Sequence, residues 1–171
     1  MNARDLLRTG SMRALAQYVA SKTPAVLAVS GIGAGDARSL ATRFGLQWVY
    51  RGRQALFWDQ HFTATRIDTA YVQARSPLRR TGLIEVHGML SNEQCTLAVT
   101  HIAAESAPVQ LDSVVKRLLL HGARAVVCIR SHRPASALIA RGLTVVTPPQ
   151  ELQVFARGFD RGAFAAVTAT I

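Results

Sequence analysis

Between residues 46 and 101 the apolar positions of this chain recur every second residue, whereas before and after that stretch they recur every third and fourth or run unbroken. This change of period restricts the fold more than any other feature. Leu46-Gln-Trp-Val-Tyr50 and Gln54-Ala-Leu-Phe-Trp58 flank Arg51-Gly52-Arg53, which reads as a hairpin with a short glycine turn. Residues 82–90 and 94–101 form a second hairpin around Ser91-Asn92-Glu93, and the polar alternation from Phe62 to Tyr71 suits an edge strand. Two hairpins exclude a purely parallel sheet and a helical bundle.

The flanking segments supply helices and buried strands. Leu6, Leu7, Met12, Leu15, Ala16, Tyr18 and Val19 predict an opening helix, which Thr23-Pro24 ends because the residue before a proline is pushed towards an extended conformation. Ala25–Val29 reads as a buried strand, and Asp36–Phe44 as a helix with Asp36 as its N-cap and Gly45 as its left-handed stop. A longer helix over 108–121 shows Val109, Leu111, Val114, Val115, Leu118 and Leu119 on one face. A strand over 124–129, a short helix over 134–140, a strand over 143–146 and a β-rich tail over 165–171 complete the pattern. With Ala25–Val29, Leu97–Thr100 and Val126–Ile129 as central strands, the expected architecture is α/β (α+β): two packed mixed β-sheets with outer helices, in one domain spanning 1–171.

Charge and cysteine usage bound the partners. An apolar fraction of 49% with 18% charged residues excludes intrinsic disorder. Twenty basic residues against ten acids give a formal charge of +10, which suits an anionic partner such as nucleic acid or another phosphate-bearing ligand. The arginines are scattered rather than gathered in one helix, so any nucleic-acid affinity is expected to be weak, salt-sensitive and indifferent to sequence. Cys95 and Cys128 form neither a disulfide framework nor a metal-ligand spacing and read as free thiols, consistent with a cytoplasmic protein. No apolar region follows Arg4 and Arg8 as in a signal peptide, and the apolar stretch over 24–33 falls short of the ~20 residues of a membrane span.

Several phrases, in order, resemble the endonuclease/exonuclease/phosphatase superfamily, whose fold is that of deoxyribonuclease I. Thr23-Pro-Ala-Val-Leu-Ala-Val-Ser-Gly31 is similar to its "P-D-V-L-A-L-Q-E" strand, and Gly52-Arg-Gln-Ala-Leu-Phe57 to its "G-x-A-x-L-S" hairpin. Leu97-Ala-Val-Thr-His-Ile102 resembles "L-x-V-T-H-L", Gln110-Leu111 lies where the family has "R-x-x-Q-L", and residues 125–132 match the frame of "V-V-L-x-G-D-F-N". The tail over 162–171 keeps Val167, Ala169 and Ile171 of "S-D-H-x-P-V-x-A-x-I". The resemblance implies a four-layer α/β/β/α sandwich, here shortened, and an activity that hydrolyses phosphoesters with a carboxylate-held divalent metal, usually Mg²⁺.

The chemical residues depart from that pattern. The family's metal-binding Glu falls on Gly31, the Asp and Asn of "G-D-F-N" on Arg130 and His132, and "S-D-H" on Gly162-Ala163-Phe164. Of the chemical set only His101 remains, either as a general base or phosphate donor or as a strand-end histidine with an ordinary hydrogen bond. Arg130 inverts the charge where a cation would sit and can itself take a phosphate. With Ser131, His132 and Arg133 it forms the best anion-binding candidate, the alternative being a solvated basic loop.

Asp59, Asp68, Glu85, Asp112, Glu151 and Asp160 show no paired spacing for a new metal site; Glu85 and His87 alternate on one strand face and could pair, but read first as a solvated strand face. Trp48, Tyr50, Phe57 and Trp58 read as core and rim packing rather than as base-stacking groups. The expectation is therefore a non-catalytic member of the fold with no metal or other cofactor, binding an anionic ligand or a protein partner. The alternatives are a phosphodiesterase with a rearranged site that uses His101, His132 and nearby acids with Mg²⁺, and a structural protein that associates with further copies of itself.

Overall fold

A computed structural model describes residues 11–22, 26–73, 80–91, 96–102, 124–130, 136–140, 142–145 and 152–157. Helix α1 (Ser11–Lys22) precedes strand β1 (Val26–Ser30) and helix α2 (Ala34–Phe44). Strands β2 (Gln47–Arg51), β3 (Gln54–Trp58), β4 (Phe62–Gln73), β5 (Arg80–Leu90), β6 (Thr96–Ile102) and β7 (Arg124–Arg130) follow. The short helix α3 (Ser136–Ile139) and strands β8 (Thr144–Val145) and β9 (Leu152–Arg157) come last. The expected helix over 108–121 and the β-rich tail over 165–171 lie outside the described residues.

The strands form two sheets. One is antiparallel with order β1-β3-β2; the other has order β4-β5-β6-β7-β9-β8 and is mixed, because β6 and β7 run parallel. Leu56 and Trp58 of β3 meet Phe62, Ile84 and Val86 of the larger sheet in one apolar cluster between the sheets. The alternate β3 residues Ala55 and Phe57 join Val29 and Ile32 beneath Ala37, Leu40 and Ala41 of α2, with Leu15 of α1 packed on the same cluster. Helices, small sheet and large sheet are thus three successive layers among the described residues, and the expected two-sheet architecture holds.

Two expectations are corrected. Among the described residues β1 is an edge strand and β3 is the centre of its sheet. β1 is apolar throughout because Val26 and Ala28 pack towards one cluster while Leu27 and Val29 pack towards the other, so two-sided burial does not require a strand on each flank. β3 is buried at every position. Asp36 lies in the first turn of α2 rather than at its cap; Gly33 occupies the N-cap with no side-chain hydrogen bond. The C-terminal stop stands: Gly45 has φ 63° and ψ 30°. Strand β9, which the sequence reading did not anticipate, separates β7 from β8.

The two sheets approach closely where the β2–β3 hairpin meets the start of β5. A Cβ placed on Gly82 would collide with the Arg51 carbonyl, and one on Gly52 would lie 2.6 Å from the Gly82 amide nitrogen. Both partners are backbone and cannot rotate away. Gly82→Ala should therefore lower stability by about 1–3 kcal/mol, the usual cost of overpacking. At ~2–4 °C per kcal/mol for a chain of this size, thermal denaturation resolves the loss. Gly35→Ala, in open space on α2, should leave the midpoint unchanged or raise it.

Candidate functional site

The hairpin turn itself is built by two left-handed residues, Gly52 (φ 54°) and Arg53 (φ 68°), the pairing that matches strand twist in a two-residue loop. Arg53 is the non-glycine member, and its position is secured on three sides. Its amide donates to the Tyr50 hydroxyl at 3.2 Å, its carbonyl accepts from the Gly31 amide at 2.7 Å, and its Nη2 donates to the Gly31 carbonyl at 3.2 Å. A bulky residue held in this region is strained, and such strain is concentrated at binding and catalytic positions. Beside it, the Arg51 guanidinium carbon lies 4.4 Å from the centre of the Tyr71 ring, a cation–π contact, while its Nε–H is shut off without a hydrogen-bond partner.

Gly31 is the position where the resemblance expects a metal-ligating acid. Instead a guanidinium rests against it, and its own φ of 79° disfavours any side chain. The strand ends of the large sheet lie on the same side. Gly82, against the hairpin, pairs with Tyr71, while one residue further on Leu83 pairs with Ile102 at the end of β6, which in turn pairs with Ile129 of β7. His101 is therefore at the level of Ile84 and Cys128, and Arg130 closes β7 opposite Leu152. The topology brings Gly31, Arg51, Arg53, His101 and Arg130 to one end of the packed sheets. Ser131, His132 and Arg133, the remainder of the expected anion loop, lie outside the described residues.

A second polar constellation corrects the solvated-face expectation and shows instead the Glu85–His87 pairing that the shared strand face allows. Glu85 and His87, read from sequence as a solvated strand face, are 1% and 5% exposed, with Nε2 of His87 2.7 Å from Oε1 of Glu85. Asp68 pairs with Glu85 across the β4–β5 ladder, and one ligand atom from each of Asp68, Glu85 and His87 lies within 4.8 Å of the others. A β-bulge makes this possible. Ala64 pairs with Gly88 and Arg66 with His87, so Thr65 is the extra residue, and its hydroxyl donates to the His87 carbonyl at 3.2 Å. Without the bulge, Arg66 would face Val86 and the inter-sheet core; with it, Arg66 and Asp68 share the face of His87 and Glu85. The legible trace is the broken alternation of Phe62 and Ala64 against Ile67.

Trp48, Tyr50, Phe57 and Trp58 do pack as core and rim. Phe57 and Trp58 are buried, Trp48 stacks on Phe57 at 6.5 Å, and Trp58 meets Phe62 edge-on at 6.3 Å. Cys128 lies in β7, while Cys95 is outside the described residues. No described helix is long and apolar enough to cross a membrane.

The buried pair predicts an asymmetry in stability. Removing the imidazole beside a buried carboxylate is costly, so His87→Ala should destabilise by about 3 kcal/mol. The Arg66–Asp68 pair is roughly half exposed, so Arg66→Ala should change stability by no more than ~1 kcal/mol. Urea unfolding of both variants checks the difference.

No family model matches the chain, and no curated protein matches it. Solved structures do. An endonuclease/exonuclease/phosphatase family protein from Bacteroides thetaiotaomicron superposes with a TM-score of 0.70 at 10% identity, over 92% of this chain and 79% of that one. A mannosyl-6-phosphatase from the same organism gives 0.70 at 10% identity, over 92% and 81%. The human Nocturnin catalytic domain with bound sulfate gives 0.66 at 11% identity, over 86% and 75%. With two packed sheets, helices on the small sheet and strand ends gathered as described, the chain carries the fold of the endonuclease/exonuclease/phosphatase superfamily.

Proposed function

We propose that this is a non-catalytic, phosphoesterase-like domain that binds a phosphate-bearing ligand at the end formed by Gly31, Arg51–Arg53 and the last residues of β6 and β7. The observation that carries the reading is the Arg53 guanidinium on the Gly31 carbonyl, positive charge where the fold's enzymes would need a carboxylate. A catalytic Mg²⁺ keeps several waters but still requires one or two carboxylates. In this frame those positions are Gly31, Arg130 and Ala163. Restoring an acid at 31 would not rebuild the ligand, because a side chain at φ 79° is strained.

The chemistry of phosphate capture fits what stands there. Guanidinium groups bind phosphate oxygens in pairs and stay charged at all relevant pH. Arg53 has donors beyond the one engaged with Gly31, Arg130 ends β7 nearby, and the Arg-Ser-His-Arg run of 130–133 adds further donors in sequence. His101 at the end of β6 contributes a donor to the ligand rather than a base to a reaction. Hydrolysis by the family route would lack several groups at once, each worth roughly 10²–10⁴-fold.

The test is titration with pyrophosphate and with a short single-stranded oligonucleotide at low and high salt. Binding should fall steeply with salt, and Arg53→Ala should weaken it about tenfold, the value of one charge-assisted hydrogen bond. Arg13→Ala, on an exposed turn of α1, should change it little. Equal binding by wild type and Arg53→Ala contradicts the proposal. So does Mg²⁺- or Mn²⁺-dependent phosphodiester turnover that His101→Ala abolishes, which would favour the rearranged enzyme.

A further inference from the structure

We propose that Asp68, Glu85 and His87 form a binding site for a divalent transition-metal ion of the zinc or manganese class, on the face of the large sheet opposite the inter-sheet core. The position follows from register. Ile84 and Val86 are in the core between the sheets, so Glu85 and His87 alternate to the other face, where Asp68 stands beside Glu85. This site is separate from the arginine-lined end and stands whether or not that end takes an anion.

The donor set is one imidazole nitrogen and two carboxylate oxygens, all within 4.8 Å of one another. Three protein ligands with a further position open to water or substrate is the arrangement of catalytic zinc sites, and the N/O mixture suits zinc or manganese better than a soft metal. Glu85 and His87 are already fixed by burial and by their 2.7 Å contact. Around a tetrahedral ion ~2.0–2.2 Å from each donor, that pair opens to roughly 3.4 Å and the wider separation from Asp68, up to 4.8 Å, closes by about 1.4 Å. These are side-chain adjustments only.

Two further observations point to a ligand. Asp68 Oδ2 is shut from solvent and makes no hydrogen bond of adequate geometry, although Arg66 Nε lies 2.6 Å from it. A hollow of about 150 Å³, lined by Arg66, Asp68, Thr69, Ala70, Leu83 and Glu85, opens directly on the two carboxylates. A divalent ion between the two carboxylates would take at Asp68 the place that Arg66 now holds. Arg66 is the resident competitor. Its side chain is 55% exposed and is free to leave Asp68.

Chelator-stripped full-length protein titrated with Zn²⁺, Mn²⁺ and Co²⁺, and assayed for bound metal after dialysis, tests the site. Wild type should take up about one equivalent, with Co²⁺ giving the visible absorption of a nitrogen- and oxygen-coordinated ion. Asp68→Asn should weaken binding at least tenfold, comparable with or beyond the loss of a supporting group around a metal. Arg66→Ala should tighten it, since a competing cation is gone; a purely structural ion pair predicts no such gain. Glu85→Gln should abolish uptake, and if that buried variant fails to fold, Asp68→Asn and Arg66→Ala, both at half-exposed positions, decide the matter. Absence of stoichiometric uptake by wild type, or equal binding by wild type and Asp68→Asn, overturns the proposal.

Discussion

The two sheets can approach at their polar end because Gly82 presents no side chain to the Arg51 carbonyl. Any Cβ at that point would push the β2–β3 hairpin off the large sheet, and the turn residues Gly52 and Arg53 would move with it. Because the turn is hydrogen-bonded to Gly31, the end of β1 is fixed by the same contact. One missing methyl thus determines how the small sheet's arginines sit relative to the ends of β6 and β7. Between the sheets, Leu56, Trp58, Phe62, Ile84 and Val86 supply the apolar burial that keeps the approach closed.

A second local device, the bulge at Thr65, determines the chemistry of the opposite face. It reverses the alternation of β4 partway along the strand, so Phe62 serves the core before it while Arg66 and Asp68 serve the outer face after it. The result is a buried Glu85–His87 pair with a half-exposed acid beside it and a compensating arginine at the rim. Burying such groups opposes folding unless partners offset the lost hydration, which is why the imidazole and the carboxylate are found at hydrogen-bond distance.

These devices explain what was readable in advance. Period-two alternation over 46–58 and 82–101 marks these stretches as strands, and the β2–β3 and β5–β6 hairpins follow from it, although β3 is covered on both faces. The phrases around Gly31 and His101 identified the fold that the superposed structures share. Strand β9 escaped notice because Pro148-Pro149 signals a loop just before it, and its six residues have no turn-bounded alternation of their own. The Asp68–Glu85–His87 cluster escaped because its members come together by cross-strand register, and counting residues along the chain assumes a regular ladder that the bulge breaks. Edge and centre are not distinguishable for β1 from sequence, because coverage by layers and coverage by neighbouring strands leave the same apolar signature.

The chain shares its scaffold with the superposed structures; in the frame of the resemblance Gly31 and Arg130 stand where the superfamily's pattern has acids, and the Arg53 guanidinium lies against Gly31. The proposed binding mode requires that this end select an anion over a hard cation. Amide chemical shifts of isotopically labelled protein, titrated separately with inorganic phosphate and with Mg²⁺, test it most directly. Phosphate should shift the amides of Gly31, Gly52, Arg53 and Arg130, and Mg²⁺ should leave those four in place. Shifts of Gly31, His101 and Arg130 on adding Mg²⁺, with no response to phosphate, would contradict it.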